Sequence, residues 1–263
     1  VRTRTPENVV DDIKDAVSFF GRHRKMLHIL WVTDDNFFAD RQWAVSVLNA
    51  IIASGIKYSF TIQARYEVGF DDEMLDLLKK AGFDEIAMGI EFLEDEAFRS
   101  YHKKSTYGEI LRSVRNIQSH GIRTRGLFIF GADDHTPGIG KRLADFVIKN
   151  NISGVLIQSM YFIPGTPVYE THKDSLINKG DWARCTGRAV HYPKNMTPAQ
   201  LQREIRIVRG HDAALAAGHV LRRLEGERGH VRDGSDDAPP AVSEEAFRVV
   251  LDHRYAAPLR DFH

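Results

Sequence analysis

The feature that most constrains the fold of this chain is the alternation of amphipathic helical stretches with short, nearly continuous apolar runs. The runs are rich in β-branched and aromatic residues, which is typical of strands buried on both faces. The predicted strands are residues 27–33, 58–63, 85–90, 123–130 and 154–162. The predicted helices around them are residues 6–20, 40–53, 71–81, 107–120 and 138–149. Strands that alternate with helices run parallel, so we expect a complete or partial barrel, with a doubly wound open sheet as the alternative.

Composition narrows the class of protein. The 263 residues are 43% apolar, which is enough for one sizeable core. Lys and Arg together number 36, as do Asp and Glu, so no strong net field recruits nucleic acid or an anionic membrane. The single cysteine, Cys185, excludes a disulfide framework and a cysteine-rich metal site within this chain. No apolar run is long enough to cross a bilayer, and we expect a soluble, cytoplasmic protein without a transmembrane segment.

Polar residues follow each predicted strand. In parallel αβ folds ligands bind at the carboxyl ends of the strands, where the loops converge. The residues at these ends are Asp34, Asp35 and Asn36; Gln63 and Arg65; Glu91; Asp133, Asp134 and His135; and Gln158 and Ser159. Each alone is explained by a helix cap, a turn or a solvated group, but five such ends in succession favour a shared site. Neighbours in a chain rarely face one ion together, so residues 133–135 are weak metal candidates.

The chain changes character after Pro164. Thr197-Pro198 predicts the start of a helix that extends to about Leu224. From Glu225 onward the sequence is polar and contains Gly and Pro, which is typical of a flexible tail. We therefore predict three segments, which are a barrel over residues 1–180, a helical C-terminal extension over 181–224 and a flexible tail over 225–263.

The order of several short motifs resembles the radical S-adenosylmethionine enzymes. The motifs are Arg4–Val10 (RTPENVV), Asp34–Phe37 (DDNF), Gln63–Arg65 (QAR), Gly89–Glu91 (GIE), Gly126–Gly131 (GLFIFG) and Pro164–Pro167 (PGTP). Each motif is weak alone, but their order is specific, and the resemblance spans residues 2–180. Residues 181–201 resemble the C-terminal extension of the cobalamin-binding methylases, the hopanoid methylases among them.

This resemblance implies a partial six-stranded βα barrel, here without its first strand, that binds S-adenosylmethionine and a 4Fe–4S cluster. Such enzymes cleave S-adenosylmethionine reductively to a 5′-deoxyadenosyl radical, and in the methylase branch cobalamin delivers a methyl group. The implied partners are a small-molecule or lipid-like substrate and an electron donor such as flavodoxin or ferredoxin. The alternatives are a cluster-free protein that binds S-adenosylmethionine or a nucleoside, and a divalent-metal hydrolase or lyase that uses Asp34, Asp35 and His135.

The resemblance also assigns roles to residues. Asp34 and Asp35, beside Asn36, match the segment that meets the cofactor's amino group, and Glu91 matches the residue that binds the ribose hydroxyls. The strand from Gly126 to Gly131 is expected beside the adenine. The other predicted cofactor-binding residues are Gln63, Arg65, Gly89 and Gln158. Arg65 is either a carboxylate contact or part of a salt bridge at the rim.

The chain departs from the family at two points. Phe92 replaces the small polar residue usual after Gly-Ile-Glu. The family holds its cluster with a CxxxCxxC loop after the first strand, and no such loop is present in this sequence. Because the segment resembling Arg2–Val10 follows that loop in the family, we expect this chain to begin after the cluster ligands and to be inactive alone.

Overall fold

Five parallel strands form one sheet in the computed structural model, which describes residues 3–21, 29–34, 36–101, 103, 105–177 and 188–209. The strands are β1 (Ile29–Val32), β2 (Ser59–Ala64), β3 (Phe83–Glu91), β4 (Arg123–Phe130) and β5 (Gly154–Ser159). Their order in the sheet is their order in the chain, β1-β2-β3-β4-β5. A doubly wound sheet would reverse its strand order at a switch point. The sheet is instead a curled half-barrel, which confirms the predicted partial barrel and excludes the alternative.

Helices connect the strands and cover one face of the sheet. They are α1 (Pro6–Gly21), α2 (Arg41–Ala53), α3 (Asp72–Ala81), α4 (Asp95–Ser100), α5 (Tyr107–Ser119), α6 (Ile139–Lys149) and α7 (Pro167–His172). Residues 198–209 are also helical and are called α8 here. Short 3₁₀ helices cover Phe37–Ala39, Tyr66–Phe70 and Lys173–Ser175. The five predicted helices are confirmed to within two residues at each end, whereas α4 and α7 were not predicted.

Helix starts differ from the prediction because two aspartates act as caps. The Asp40 carboxylate accepts a hydrogen bond from the main-chain N–H of Trp43 at 3.0 Å, so α2 begins one residue later than expected. Asp71 does the same for Met74 at 3.1 Å at the start of α3. An N-cap side chain satisfies an amide that the helix itself leaves unpaired, which stabilises the helix by about 1 kcal/mol. At the other end, Gly82 terminates α3 in a left-handed conformation, φ 94°.

The alternation of side chains along β4 distinguishes the two faces of the sheet. Thr124, Gly126, Phe128 and Phe130 are buried, whereas the residues between them are partly exposed. The Phe128 ring packs edge-on against Phe146 of α6, with centroids 6.0 Å apart. The helices therefore cover the convex face, and the intervening residues of β4 point to the concave face.

A buried ion pair occupies the amino-terminal end of the concave face. Glu85 is 3% exposed and accepts hydrogen bonds from Arg125 Nε at 2.8 Å and Ser153 Oγ at 2.9 Å. Arg123 lies 3.9 Å from the same carboxylate. A buried carboxylate that keeps its partners fills and rigidifies this end. Space for a ligand is thus expected at the carboxyl-terminal end.

The C-terminal extension packs onto the barrel. Its residue His191 forms an isolated antiparallel bridge with Leu176, and Thr197 Oγ1 caps α8 by accepting from the N–H of Gln200 at 3.2 Å. The helix start predicted at Thr197-Pro198 is thereby confirmed. All described residues fall in one compact unit, Val1–Leu221. The predicted boundary at residue 180, the end of the helix at Leu224 and the tail over 225–263 lie outside the described residues. Among the described helices, none has the length and apolarity needed to cross a membrane.

Candidate functional site

Glu91 ends β3 in an unusual conformation. Its φ is 64°, in the left-handed region that non-glycine residues seldom adopt, and the ladder to β4 shifts between Gly89 and Glu91. Shifts of this kind at a strand end redirect a side chain. The carboxylate folds back over Gly89, where an added Cβ would lie 2.9 Å from Glu91 Oε1. The glycine of the Gly-Ile-Glu motif therefore leaves room for the glutamate two residues later.

The Glu91 carboxylate is desolvated but weakly partnered. Its side chain is 26% exposed, and the Lys103 ammonium lies 3.9 Å from Oε1. Burial raises the pKa of the Glu91 carboxyl, and the positive charge of Lys103 partly opposes that shift. Within the described part of the chain, no donor makes a hydrogen bond to this carboxylate. Its oxygens can therefore accept hydrogen bonds from the hydroxyl groups of a ligand.

A cavity of about 330 Å³ opens beside Lys103 at the carboxyl ends of β4 and β5, and we call it the rim cavity. This volume lies at the lower end of the range for small-molecule sites. The lining residues are Phe92, Tyr101, Lys103, Ile129, Gln158, Ser159, Met160, Tyr161, Phe162, Ile163 and Val168. The walls are mainly apolar, and Ser159 Oγ is buried without a hydrogen-bond partner in the described region. The predicted residue Gln158 thus lies on the cavity.

Aromatic rings form the inner wall of the rim cavity. Phe92 is 2% exposed and stacks on Tyr101, with centroids 5.5 Å apart and an interplanar angle of 22°. Its edge also meets the ring of Phe98 at 5.6 Å. The replacement of the usual small residue by Phe92 therefore supplies a wall of the cavity beside Glu91. Tyr101 is the platform for that wall, and sequence reasoning missed it.

The other predicted polar residues lie away from the cavity lining. Asp34 accepts a hydrogen bond from the N–H of Asn36 at 2.9 Å, which is a local turn, while Asp35 is outside the described residues. Gln63 is half-buried on β2, opposite Ala87 of β3. Arg65 is exposed.

Arg65 donates two hydrogen bonds to Glu67, at 2.6 and 3.2 Å. This geometry is the salt bridge at the rim that the sequence left open as an alternative to a ligand contact. Contact of Asp34, Asn36, Gln63 or Arg65 with a cofactor stays a prediction.

Gly126 and Gly131 make room for protein side chains. A Cβ on Gly126 would lie 2.4 Å from the Phe128 ring and 3.2 Å from Ile90. Gly131 has φ +100°, and its Cβ would lie 2.8 Å from His191 Cε1. Packing within the protein is sufficient to require glycine at both positions. Their contact with a bound adenine stays a prediction.

Two buried histidines hold the main chain of Gly131; His135 belongs to the strand ends that the sequence assigned to a shared site, whereas His191 was not predicted. The Gly131 N–H donates to His135 Nδ1 at 3.2 Å, and the Gly131 carbonyl accepts from His191 Nε2 at 2.9 Å. His135 and His191 are 5% and 2% exposed. Burial lowers the pKa of His135 to about 4 and also lowers the pKa of His191. Both rings are therefore neutral near pH 7.

Metal ligation finds no support in the described residues, where no three His, Cys, Asp or Glu side chains are arranged to hold an ion. Asp133 instead joins segments, since its carbonyl accepts from Asn195 at 2.6 Å and its N–H donates to Tyr101 Oη at 3.2 Å. The Nδ1 atom of His135 already accepts the hydrogen bond from the Gly131 N–H. With Cys185 as its one cysteine, the chain also does not supply three thiolates for an iron–sulfur cluster.

Comparison with known proteins places this chain in a family. The profile of the Radical SAM superfamily matches residues 1–147. Hopanoid C-2 methylase from Rhodopseudomonas palustris is 27% identical over 174 residues, which are 64% of this chain and 32% of that protein. Bacteriochlorophyllide d C-12(1)-methyltransferase from Chlorobaculum tepidum is 24% identical over 182 residues, or 69% of this chain and 39% of that protein. The chain thus spans about a third of the length of these curated relatives.

A solved structure shows the same fold. It is a radical S-adenosylmethionine methyltransferase, TsrM, from Kitasatospora setae with cobalamin and a 4Fe–4S cluster bound. The TM-score is 0.53 at 18% identity, and the match covers 77% of this chain and 38% of that chain. The half-barrel, the ordered motifs and the superfamily profile agree. The chain belongs to the radical S-adenosylmethionine superfamily.

Proposed function

We propose that this chain forms the nucleoside-binding part of a cobalamin-dependent radical S-adenosylmethionine methyltransferase that methylates an unreactive carbon of a small or lipid-like substrate. The relatives named above support the reaction class, because both carry methylase or methyltransferase names. The observation that carries the proposal is Glu91, a desolvated carboxylate that accepts no hydrogen bond within the described residues and that neighbours Phe92 and Lys103 of the apolar cavity. That pairing suits a ligand with an apolar base and a hydroxylated sugar.

The residues present fit the adenosine portion of the cofactor. Glu91 would accept hydrogen bonds from the ribose hydroxyls, and charged acceptors make these bonds about twice as strong as neutral ones. Ile129 and Phe162 would contact the faces of the adenine, while Gln158 and Ser159 offer polar atoms to its edge. When bound, S-adenosylmethionine supplies a methyl group and, on reductive cleavage, a 5′-deoxyadenosyl radical.

This chain's own residues would act by positioning and by excluding water. The left-handed backbone of Glu91 fixes the direction of the carboxylate before a ligand arrives. Phe92 on its Tyr101 platform closes the inner side of the cavity. Groups held in place before binding lose less freedom when the ligand binds, and a ligand fixed in one orientation reacts faster. The thiolates that would hold a cluster are not supplied by this chain, which has one cysteine.

The proposal includes the partners and location expected from the family. They are a low-potential electron donor such as flavodoxin or ferredoxin, and a cytoplasmic location without nucleic-acid binding. The equal numbers of basic and acidic residues support the last point. A second candidate, a cluster-free binding protein for S-adenosylmethionine, is favoured by the single cysteine. Binding and cleavage measurements separate these two functions.

Calorimetry with S-adenosylhomocysteine tests the nucleoside site in the 263-residue chain. We expect saturable binding that Glu91→Gln weakens about tenfold, since a hydrogen bond to a charged group contributes roughly 1.5–3 kcal/mol. The matched control is Glu73→Gln, because Glu73 is 80% exposed and pairs with Arg41 on the surface. Absence of saturable binding by the wild-type chain, or equal binding by Glu91→Gln, would refute the site.

Anaerobic iron and sulfide reconstitution tests the enzymatic part. For this chain alone we expect binding without release of 5′-deoxyadenosine from S-adenosylmethionine, because one cysteine does not hold the cluster. The complete protein should release 5′-deoxyadenosine and transfer a methyl group. A complete protein that binds but does not cleave S-adenosylmethionine would favour the binding-protein candidate.

A further inference from the structure

The end of β4 is fixed from both sides by histidines that come from different parts of the chain. His135 follows β4 by a few residues, whereas His191 belongs to the C-terminal extension, 60 residues after Gly131. Between them they engage both main-chain polar groups of Gly131. The peptide before Gly131 is also held, because the carbonyl of Phe130 accepts from the N–H of Met160 at 2.7 Å.

Each histidine also supports one ring of the rim cavity. The His135 ring meets Phe92 edge-on, with centroids 6.1 Å apart and an interplanar angle of 72°. The His191 ring meets Phe162 edge-on at 5.1 Å and 71°. Edge-to-face contacts of this kind help to orient both rings, and Phe162 is also stacked on His172, with centroids 4.5 Å apart and an interplanar angle of 24°. Phe92 of the cavity lining therefore contacts His135, and Phe162 of the same lining contacts His191.

The hydrogen-bond chemistry fixes the tautomer of each ring. A carbonyl oxygen only accepts, so His191 carries its proton on Nε2, which faces the Gly131 carbonyl. A main-chain N–H only donates, so His135 presents an unprotonated Nδ1 to Gly131. The arrangement consequently admits one orientation of each ring, and the left-handed Gly131 between them, with φ +100°, has no room for a side chain.

We propose that His191 is a positioning residue for the cofactor, and that it sets the end of β4 and the Phe162 wall so that the rim cavity fits the adenine. The inference rests on the proposed nucleoside site. It makes the C-terminal extension part of the cofactor site, in addition to any contact it has with substrate. Without the Nε2 donor, the buried Gly131 carbonyl loses its partner, and the strand end relaxes towards other donors. Met160, which lines the cavity and bonds to the adjoining peptide, would move with it.

Two variants isolate the hydrogen bond from the ring. His191→Leu and His191→Gln both remove the aromatic contact with Phe162, but Gln places an amide donor near the former Nε2 position. The control is His120→Leu, since His120 bonds the Asn116 carbonyl at 2.9 Å near the amino-terminal end of β4, away from the rim cavity. Affinities for S-adenosylhomocysteine and 5′-deoxyadenosine are measured by calorimetry on the full chain, with thermal unfolding recorded for each variant.

We expect His191→Leu to bind both ligands about tenfold more weakly and His191→Gln to stay within about threefold of the wild-type affinity. The difference is expected because only Gln can restore the hydrogen bond to the Gly131 carbonyl, which positions the end of β4. His120→Leu should lower the melting temperature without changing either affinity. A purely structural role would lower the melting temperature of both His191 variants and leave affinity unchanged, and that result would overturn the inference. If His191→Leu does not fold, failure of His191→Gln to bind within about threefold of wild type would overturn it. If wild-type chain binds neither ligand, the proposed function fails first, and the inference fails with it.

Discussion

Glu204 offers the sharpest test of how the extension is attached to the barrel. Its carboxylate is buried, with 6% of the residue exposed, and it lies on α8 against the start of α6. Oε1 accepts from the N–H of Gly138 at 2.9 Å, and Oε2 accepts from the N–H of Gly140 at 2.8 Å. Gly138 has no side chain to cap α6 itself. Glu204 therefore caps a helix more than 60 residues earlier in the chain.

The expected cost of Glu204→Gln follows from these two bonds. The amide oxygen keeps one of them, but the amide nitrogen is a donor and faces the other main-chain N–H, which then has no acceptor. A buried unsatisfied group costs about 1–3 kcal/mol, and loss of a negative charge at a helix N-terminus costs about 0.3–1 kcal/mol more. We expect a loss of about 2–3 kcal/mol in the free energy of unfolding.

Urea unfolding measures this loss, and a melting temperature lowered by roughly 5–10 °C should accompany it. Glu170→Gln is the matched control, because its carboxylate is 60% exposed and pairs only with Lys173 among the described residues. Such a surface pair contributes about 0–1 kcal/mol. A Glu204→Gln loss no larger than that of the control would show that the carboxylate does not hold α8 on α6.

Two further predictions concern backbone conformation and pH. Gly82→Ala should lower the free energy of unfolding by at least about 1–2 kcal/mol, because φ is 94° and the new Cβ would lie 2.5 Å from the Tyr58 carbonyl oxygen. In the control Gly108→Ala the new Cβ meets open space, so the free energy of unfolding should be unchanged or raised. Equal changes in the two variants would contradict this reasoning. Burial raises the pKa of the Glu91 carboxyl above its unfolded value of about 4.3, so the native state binds the proton more tightly. Wild-type stability therefore falls as the pH rises from about 4.3 through the raised pKa of the native state. Glu91→Gln without ligand should escape this fall, and its stability relative to wild type, from urea unfolding at pH 4 and pH 7.5, should increase with pH; a constant difference would refute the assignment.

The sequence was sufficient for most of the fold because local signals and tertiary structure agree. Buried apolar runs became strands, and Asp71 and Gly82 bounded α3 as a cap and a terminator. The prediction was wrong where residues 160–162 were assigned to the last strand, which ends at Ser159. Those apolar residues are needed to line the rim cavity, so their hydrophobicity does not report a strand. The helices α4 and α7 have six residues each, too few for a periodic pattern.

The motifs anticipated local geometry where the relevant spacing is short, although the binding roles assigned to the site residues stay predictions. Gly89 and Glu91 are two residues apart, and their relation is a steric fit within one strand end, which a motif records. Gln158 lies on the rim cavity, as expected if strand ends converge on one rim, and its contact with a cofactor stays a prediction. At the end of β2, Arg65 pairs with Glu67, which is the rim salt bridge left open by the sequence, and its contact with a cofactor stays a prediction. Polar residues at a rim pair with each other as well as with ligands.

No motif predicted the residues that support the cavity walls, because the contact between Gly131 and His191 joins segments that are distant in the sequence. Gly131 was predicted to lie beside the adenine, which stays a prediction, and the space left by its missing side chain is bordered by His191 from the extension. No local pattern near Gly131 or His191 indicates the other residue, and histidine is intermediate in burial among residue types, so residue type alone does not predict that His191 is buried. The same holds for Glu204 and Gly140, where the close approach of a main-chain oxygen and a carboxylate requires glycine. A glycine in the sequence indicates that space is needed beside the backbone, but it does not indicate which group fills that space. The role of such a glycine is known only once the facing residue is known.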